Sequence, residues 1–375
     1  FIDGITDDLI TDLSKVGSIR VIAPQSAYQF KNRKQFTLDD VAKELGVQYV
    51  VQGSIQKSGE RVRINVQLTN VQDGDIFWAE RFDTKSESIF EIQDRITRKV
   101  IEAMALTMSE SETGRLSSTG TTNFAAYDTF LQGQKFITMR SREGYEMAMD
   151  AYQKAIELDP GFARVYGAMS VALTYAYRFQ WTDLPVPEAK ERSLELAKKA
   201  LSSNTNSPQI YWALGYVHIH RKEYEEAEEA ARKSIELSPN YADGYGLLAY
   251  ISNWRGKAKQ AEDYIKKAID LNPYHSFDYP WNLGFAYYTQ GQYTKAEASL
   301  RSALGRNANA LYPRLFLAAS YVRLGQDEDA SWEIDNITVN RPKTTIQHLR
   351  NLMPFEHKQD LEKVLGDLEK AGLPK

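Results

Sequence analysis

Tyr211-Trp212-Ala213-Leu214-Gly215, Tyr245-Gly246-Leu247-Leu248-Ala249 and Trp281-Asn282-Leu283-Gly284 are three versions of one phrase. Each is followed by an alanine (Ala227, Ala261, Ala296) and then by a residue that ends a helical pattern (Pro239, Pro273, Asn307). Pro239 and Pro273 are 34 residues apart, as are Pro273 and Asn307, Gly215 and Ala249, and Ala227 and Ala261. A fixed period of this length means one supersecondary unit, repeated. Small residues stand where two helices must touch, and proline stands where the helix cannot continue. Each unit therefore reads as a helix hairpin that cannot bury its apolar face alone, so neighbours must stack. Such a stack offers a concave binding surface rather than a catalytic pocket.

The period and these key positions resemble the tetratricopeptide signature. The pattern extends in both directions. A first repeat runs from Ala125 to Pro160, with Gly133, Phe136, Ala148, Tyr152 and Ala155 at packing positions, and a second from Ala163 to about Thr205. The second carries an insertion, Trp181-Thr182-Asp183-Leu184-Pro185-Val186-Pro187, between its helices. A sixth runs from Leu311 to Pro342, and Thr344 to Ala371 forms one or two more polar helices suited to cap the array.

The N-terminal third has other periods. Phe1 to Val16 reads as a helix with Asp3 as N-cap, and Ile19 to Ala23 as a short strand. Thr37 caps a second helix that ends at Gly46. Val47–Lys57, Val62–Leu68 and Ile76–Phe82 alternate as strands, with turns at Ser58-Gly59 and Asp73-Gly74-Asp75. A long helix follows from about Ser88 to Met108. The expected division is an α+β domain, a mixed sheet with helices, over 1–108; a Ser/Thr/Gly-rich linker over 109–123; about six repeats forming an all-α tetratricopeptide superhelix over 124–342; and capping helices over 343–375.

Composition narrows the function. A net charge of −4 and a pI near 5.9 carry no nucleic-acid footprint. No stretch approaches the roughly 18 apolar residues of a membrane span. The absence of cysteine excludes disulfides, Cys-based zinc sites and Cys nucleophiles from these residues. The chain opens at Phe1, directly in an amphipathic pattern, which suggests a fragment whose upstream part is unseen.

The N-terminal wording also carries a resemblance. It reads Asp3-Gly4-Ile5-Thr6-Asp7-Asp8-Leu9-Ile10, Leu45-Gly46-Val47-Gln48-Tyr49-Val50-Val51-Gln52-Gly53-Ser54-Ile55, Val62-Arg63-Ile64-Asn65-Val66-Gln67-Leu68 and Gly74-Asp75-Ile76-Phe77-Trp78-Ala79-Glu80-Arg81-Phe82-Asp83, with Ile89-Phe90-Glu91-Ile92-Gln93-Asp94 after it. Together with the repeats and the ending Leu368-Glu369-Lys370-Ala371-Gly372-Leu373-Pro374-Lys375, it resembles the TolB-like domain plus tetratricopeptide region of bacterial class III adenylate/guanylate cyclases. The same pair occurs in transmembrane winged-helix regulators of the CadC type. The resemblance implies one more strand upstream of Phe1, whose absence opens a sheet edge. It also implies an upstream effector, a cyclase first and a winged-helix domain second. An extracytoplasmic (periplasmic) location is favoured over a cytoplasmic one.

No catalytic motif survives inspection: neither a phosphate loop, nor Gly-x-Ser-x-Gly, nor His-Glu-x-x-His is present. The paired metal-binding aspartates of a cyclase are not recognisable, so cyclisation chemistry would lie upstream. No cofactor and no metal site are expected: His218 and His220, two apart on a helix, point to different faces. Asp7-Asp8 reads as first-turn acids favoured by the helix dipole.

The informative surface is the groove. The first helix of each tetratricopeptide hairpin lines the concave side, which places Trp212 and Tyr216, then Tyr250, Asn253 and Trp254, then Trp281, Phe285 and Tyr288 along it. Rigid aromatic area with a polar handle is what binding hot spots use. The alternative is that these rings pack between helices or against the terminal helices. The expectation is a non-catalytic regulatory region that holds a protein or peptide partner in the groove and signals to the upstream effector. The competing readings are the sensory domain of a membrane-bound transcription regulator and a self-assembling scaffold, such as a homodimer.

Overall fold

A computed structural model describes residues 2–31, 33, 36–58, 61–85, 89–104, 106, 108–116, 120–204 and 206–375. The N-terminal part runs α1 (Ile2–Leu13), α2 (Pro24–Lys31), α3 (Leu38–Leu45), β1 (Tyr49–Ser58), β2 (Arg61–Asn70), β3 (Ile76–Lys85), α4 (Ile89–Ala103) and α5 (Glu110–Arg115). The three strands form one antiparallel sheet in the order β1-β2-β3. Ile64 faces Ile55 on one side and Phe82 on the other, and a bulge between Leu68 and Thr69 skips Phe77. The Val62-Ile64-Val66-Leu68 alternation buries one face of β2, as its period demands. Thr37 caps α3 with a full capping box through Asp40, and Gly46 ends it in the left-handed conformation at φ 63°.

Three local expectations change. Asp3 lies inside the first turn of α1 instead of capping it. Ile19 to Ala23 joins no sheet, and α2, absent from the sequence reading, begins at Pro24, where a missing N–H costs nothing. The linker carries α5, capped by Ser109 with Glu112, whose carboxylate also accepts the Gly17 N–H at 2.8 Å. The turn at Gly59 and the start of the long helix at Ser88 lie outside the described residues.

Twelve helices then pair as six hairpins: α6 (Phe124–Ile137) with α7 (Arg142–Leu158), α8 (Ala163–Phe179) with α9 (Val186–Ser203), α10 (Pro208–Arg221) with α11 (Tyr224–Leu237), α12 (Ala242–Trp254) with α13 (Ala258–Leu271), α14 (Asp278–Thr289) with α15 (Tyr293–Arg306), and α16 (Leu311–Leu324) with α17 (Asp327–Asn340). Two shorter helices, α18 (Ile346–Leu352) and α19 (Lys358–Lys370), end the chain. The architecture is thus an α+β N-terminal part followed by an all-helical tetratricopeptide array.

The chain forms two compact bodies. The first holds Phe1–Ala213, Ser234–Tyr241 and Leu271–Pro273; the second holds Leu214–Lys233, Ala242–Asp270 and Tyr274–Lys375. In the first, one continuous apolar core runs from the sheet (Val62, Ile64, Phe82) through α4 (Ile92, Ile96, Val100) and α1 (Ile5, Leu13) into the first two hairpins (Tyr127, Phe130, Tyr152, Phe162). In the second, the hairpins close on small residues. A Cβ on Gly284 would lie 2.6 Å from Leu300 Cγ, so only glycine lets α14 and α15 approach this closely.

Candidate binding surface

In the second body, α12, α14 and α16 bring their aromatic residues into one continuous row. Tyr216 stacks on Tyr250 at 6.0 Å between ring centroids, and Tyr250 lies 5.4 Å from Trp281. Trp254 meets Phe285 edge-on at 4.8 Å, Phe285 lies 4.3 Å from Phe316, and Phe316 lies 5.5 Å from Tyr288. The sequence expectation that these residues line one surface is matched in their adjacency. The exposure is another matter. Trp254, Phe285 and Asn253 are wholly buried, and Tyr288, Trp281, Tyr216 and Tyr250 are 1–6 % exposed. Trp212 lies in the first body, half-buried, and is not part of the row.

What covers the row is the chain's own C-terminal segment. Phe355 stands edge-on to Trp254 at 4.7 Å and lies 5.8 Å from Phe285. Tyr288 donates its hydroxyl proton to Asp367 at 2.5 Å, and Arg323 Nε donates to the same carboxylate oxygen at 2.7 Å. Burial, then the hydrogen bond to Asp367, pushes the Tyr288 phenol far above its ordinary range. In this structure, then, the eight residues expected to hold a partner do not stand free. Seven are packed in the core of the second body, because the array's last apolar face is closed by α18 and α19.

Other polar atoms in the row stay unmatched. Asn253 Nδ2 donates to the Asn282 carbonyl at 2.9 Å, but Asn253 Oδ1 and the indole N–H groups of Trp254 and Trp281 are buried without a partner. A native fold keeps few such groups, and each costs on the order of 1–3 kcal/mol. The two neighbouring histidines diverge as expected: His220 Nε2 pairs with the Tyr250 hydroxyl at 2.9 Å, and His218 Nδ1 with Glu223 at 2.5 Å. Among the described residues no group of three metal-ligating side chains converges.

The first body contains functional-looking residues that the sequence reading assigned to the helix dipole or passed over. Asp8, on the second turn of α1, is 4 % exposed; it accepts a proton from the Tyr127 hydroxyl at 2.5 Å and from Arg164 Nη1 at 2.8 Å. Beside it, Lys15 Nζ donates to Asp12 at 2.6 Å, with both side chains buried. Burial pushes Asp7 up to about 6, against the lowering effect of its hydrogen bond from Tyr28. The cleft next to these groups, lined by Asp8, Asp12, Lys15 and Arg164, holds about 10 Å³, room for one water at most. It is an ionic latch, not a ligand site.

Two asparagines at the exits of successive repeats complete this anchoring. Asn240 Nδ2 donates to the carbonyls of Val16 (3.0 Å) and Ile19 (2.8 Å), while its Oδ1 accepts the Val21 N–H at 3.2 Å. Asn272 Oδ1 accepts from Ser26 Oγ at 2.6 Å, and the Ala23 N–H donates to the Leu271 carbonyl at 2.9 Å. These bonds satisfy the backbone of 16–23, which is why that stretch needs no sheet. The only sequence signal was Asn240 and Asn272 standing next to Pro239 and Pro273 at the repeat exits, a position read for the prolines alone.

Comparison with known proteins agrees with the repeat reading. Residues 208–241, 255–330 and 145–162 match models of the tetratricopeptide repeat family. A protein of Rhizobium meliloti (strain 1021) named "Putative adenylate cyclase 3" is 32% identical over 228 residues, 61% of this chain. The chain spans 38% of that relative's length. Among solved structures, Pseudomonas aeruginosa PilF (18% identical, 59% of this chain and 93% of that one, TM-score 0.42) and the Thermus thermophilus protein TTC0263 (22%, 55% and 98%, 0.42) share helical repeats. YrrB, described as a tetratricopeptide protein with an unusual peptide-binding site, is 19% identical over 53% of this chain and 96% of its own, with a TM-score of 0.34.

Proposed function

We propose that this chain is a non-catalytic regulatory region. Its tetratricopeptide array engages a protein or peptide partner, and a TolB-like N-terminal domain passes the array's state to an upstream effector, a class III adenylate or guanylate cyclase. The observation that carries the reading is the anchoring of α1 and residues 16–26 on the repeats through Asp8, Asn240 and Asn272. A linker alone would transmit little. Buried, directional hydrogen bonds let a shift at a repeat exit bias the segment they hold. The relative named for adenylate cyclase supplies the class of effector.

The test is the full-length protein. Its coding sequence upstream of Phe1 should specify a cyclase domain, and Asn240→Ala with Asn272→Ala should change how nucleotide cyclisation responds to partner without changing helical content. An upstream region with no effector domain, or a response that ignores both asparagines, sinks the reading.

One observation favours a second reading, self-assembly. Trp332 is 58 % and Val339 80 % exposed, seven residues apart on one face of α17. Sedimentation of the chain across micromolar concentrations decides it, since a strict monomer is incompatible with a scaffold.

A further inference from the structure

The loop Met353-Pro354-Phe355-Glu356-His357, between α18 and α19, sits on the second body the way an extended peptide sits on a receptor. Its Phe355 ring fills the space between Trp254 and Phe285 and is 6 % exposed. Its main chain is read twice: the Glu356 N–H donates to the Trp254 carbonyl at 3.0 Å, and the Tyr224 hydroxyl donates to the Phe355 carbonyl at 2.7 Å. Its carboxylate is gripped by one guanidinium, with Arg255 Nε 2.9 Å from Glu356 Oε2 and Nη2 3.3 Å from Oε1. Gly256, at φ 71°, lets the loop come close: a Cβ there would lie 3.2 Å from the His357 ring.

The receiving side is preorganised without Glu356. Arg255 is also held by Glu228 at 2.9 Å and Glu225 at 2.7 Å, so its fork is already aimed when the third carboxylate arrives. The fit is incomplete on the apolar side, where Trp254 Nε1, Trp281 Nε1 and Asn253 Oδ1 lie buried in the same aromatic row with no partner. A purpose-built core would have matched them; a stand-in occupant leaves them over.

We propose that this surface is a recognition site for an extended segment carrying an aromatic residue followed by an acidic one. The chain's own Phe355-Glu356 fills the site, and a partner bearing the same pair competes for it. The proposal rests on the reading of the array as a partner-binding surface and specifies what the partner presents. The tether gives Phe355-Glu356 an effective concentration in the millimolar range, so a competitor must be tight or locally concentrated. The site is thereby closed until such a partner arrives.

The experiment uses the intact chain and a fluorescein-labelled peptide of residues 350–361, read by fluorescence anisotropy. The wild-type chain should bind it weakly, and Phe355→Ala with Glu356→Ala should bind it at least tenfold tighter. Adding Arg255→Ala to that variant should remove at least tenfold, and a peptide with alanine at both key positions should not bind. In wild type, millimolar peptide should speed amide exchange across 353–357. If the double variant loses its fold, that exchange measurement and Glu356→Ala alone carry the test. An opened site that ignores the peptide, or exchange that millimolar peptide leaves unchanged, overturns the proposal and makes 353–357 a cap and nothing more. Partner capture by the full chain that is indifferent to Arg255 and Phe355 would sink this site while leaving the wider regulatory reading intact. Peptide binding with no cyclase response to partner would do the reverse.

Discussion

Asp8→Ala tests the ionic latch directly. The carboxylate is 4 % exposed and serves two buried donors, Arg164 Nη1 on one oxygen and the Tyr127 hydroxyl on the other. Removing it leaves a guanidinium with 16 % side-chain exposure and a phenol with 1 % residue exposure unpaired. Breaking a buried pair from one side costs about 3–5 kcal/mol. Arg164 also lies over the Phe130 ring at 5.3 Å, which retains part of its stabilisation, so the lower end, about 3 kcal/mol, is expected. Asp8→Asn keeps both acceptors' geometry but loses charge, and should cost about half as much. Replacing the whole set by Asp8→Leu, Tyr127→Phe and Arg164→Met should recover most of the loss, because no orphaned polar group remains. Urea denaturation gives the global free energies, and amide exchange in α1 shows whether the loss is local. If Asp8→Ala costs under about 1 kcal/mol, or the triple variant is no better than the single, the latch argument is wrong.

Further outcomes follow from individual environments. Asp7 sits at about 6 in the fold, against 3.8 ordinarily, through burial first. The native state therefore holds more protons between these values, so the stabilisation from protonation is complete below about pH 4 and is lost as pH rises through about 6. Asp7→Asn should flatten that slope and raise stability at pH 7 by up to about 3 kcal/mol, seen in urea midpoints at pH 4.5 and 7. Gly284→Ala should destabilise by about 1–3 kcal/mol because its Cβ meets Leu300, which is wholly buried. Gly305→Ala on α15, where a Cβ meets nothing within 4 Å, should stabilise by about 0.5–1 kcal/mol; thermal melts of the pair check both signs. Trp281→Ala should cost about 3–5 kcal/mol in the same melts, as a core deletion does, so it is unsuited as a clean binding variant.

The repeat array was legible because its period is local: small residues at Gly215 and Gly284, and prolines at Pro239 and Pro273, do the same work in every unit. The three strands and the caps at Thr37 and Gly46 were legible for a similar reason, since alternation and capping act within a few residues. The aromatic row was legible as a row but not as a core. Whether Trp254 faces solvent depends on Phe355, which lies 101 positions away, and no local pattern encodes that pairing. Asp8 was misread in the same way. Two adjacent acids near a helix start look like dipole partners, and only the fold brings Arg164 to them. Ile19–Ala23 has a strand's composition, but its hydrogen bonds are met by asparagine side chains and a repeat-exit carbonyl.

The C-terminal closure has one more property. The Ile346 N–H donates to the Pro374 carbonyl at 2.8 Å, so the last residue but one is fastened to the start of α18. Between those points α18 and α19 pack on each other, and Leu349, Met353, Leu361, Val364, Leu365, Leu368 and Leu373 are all buried. A tail pinned at both ends cannot peel away from its tip. It leaves as one body or stays, so the uncovering of Trp254 is a single cooperative event with no half-open population. Exchange rates across 346–374 should then rise together, and a response driven through this surface would have a threshold in place of a gradient.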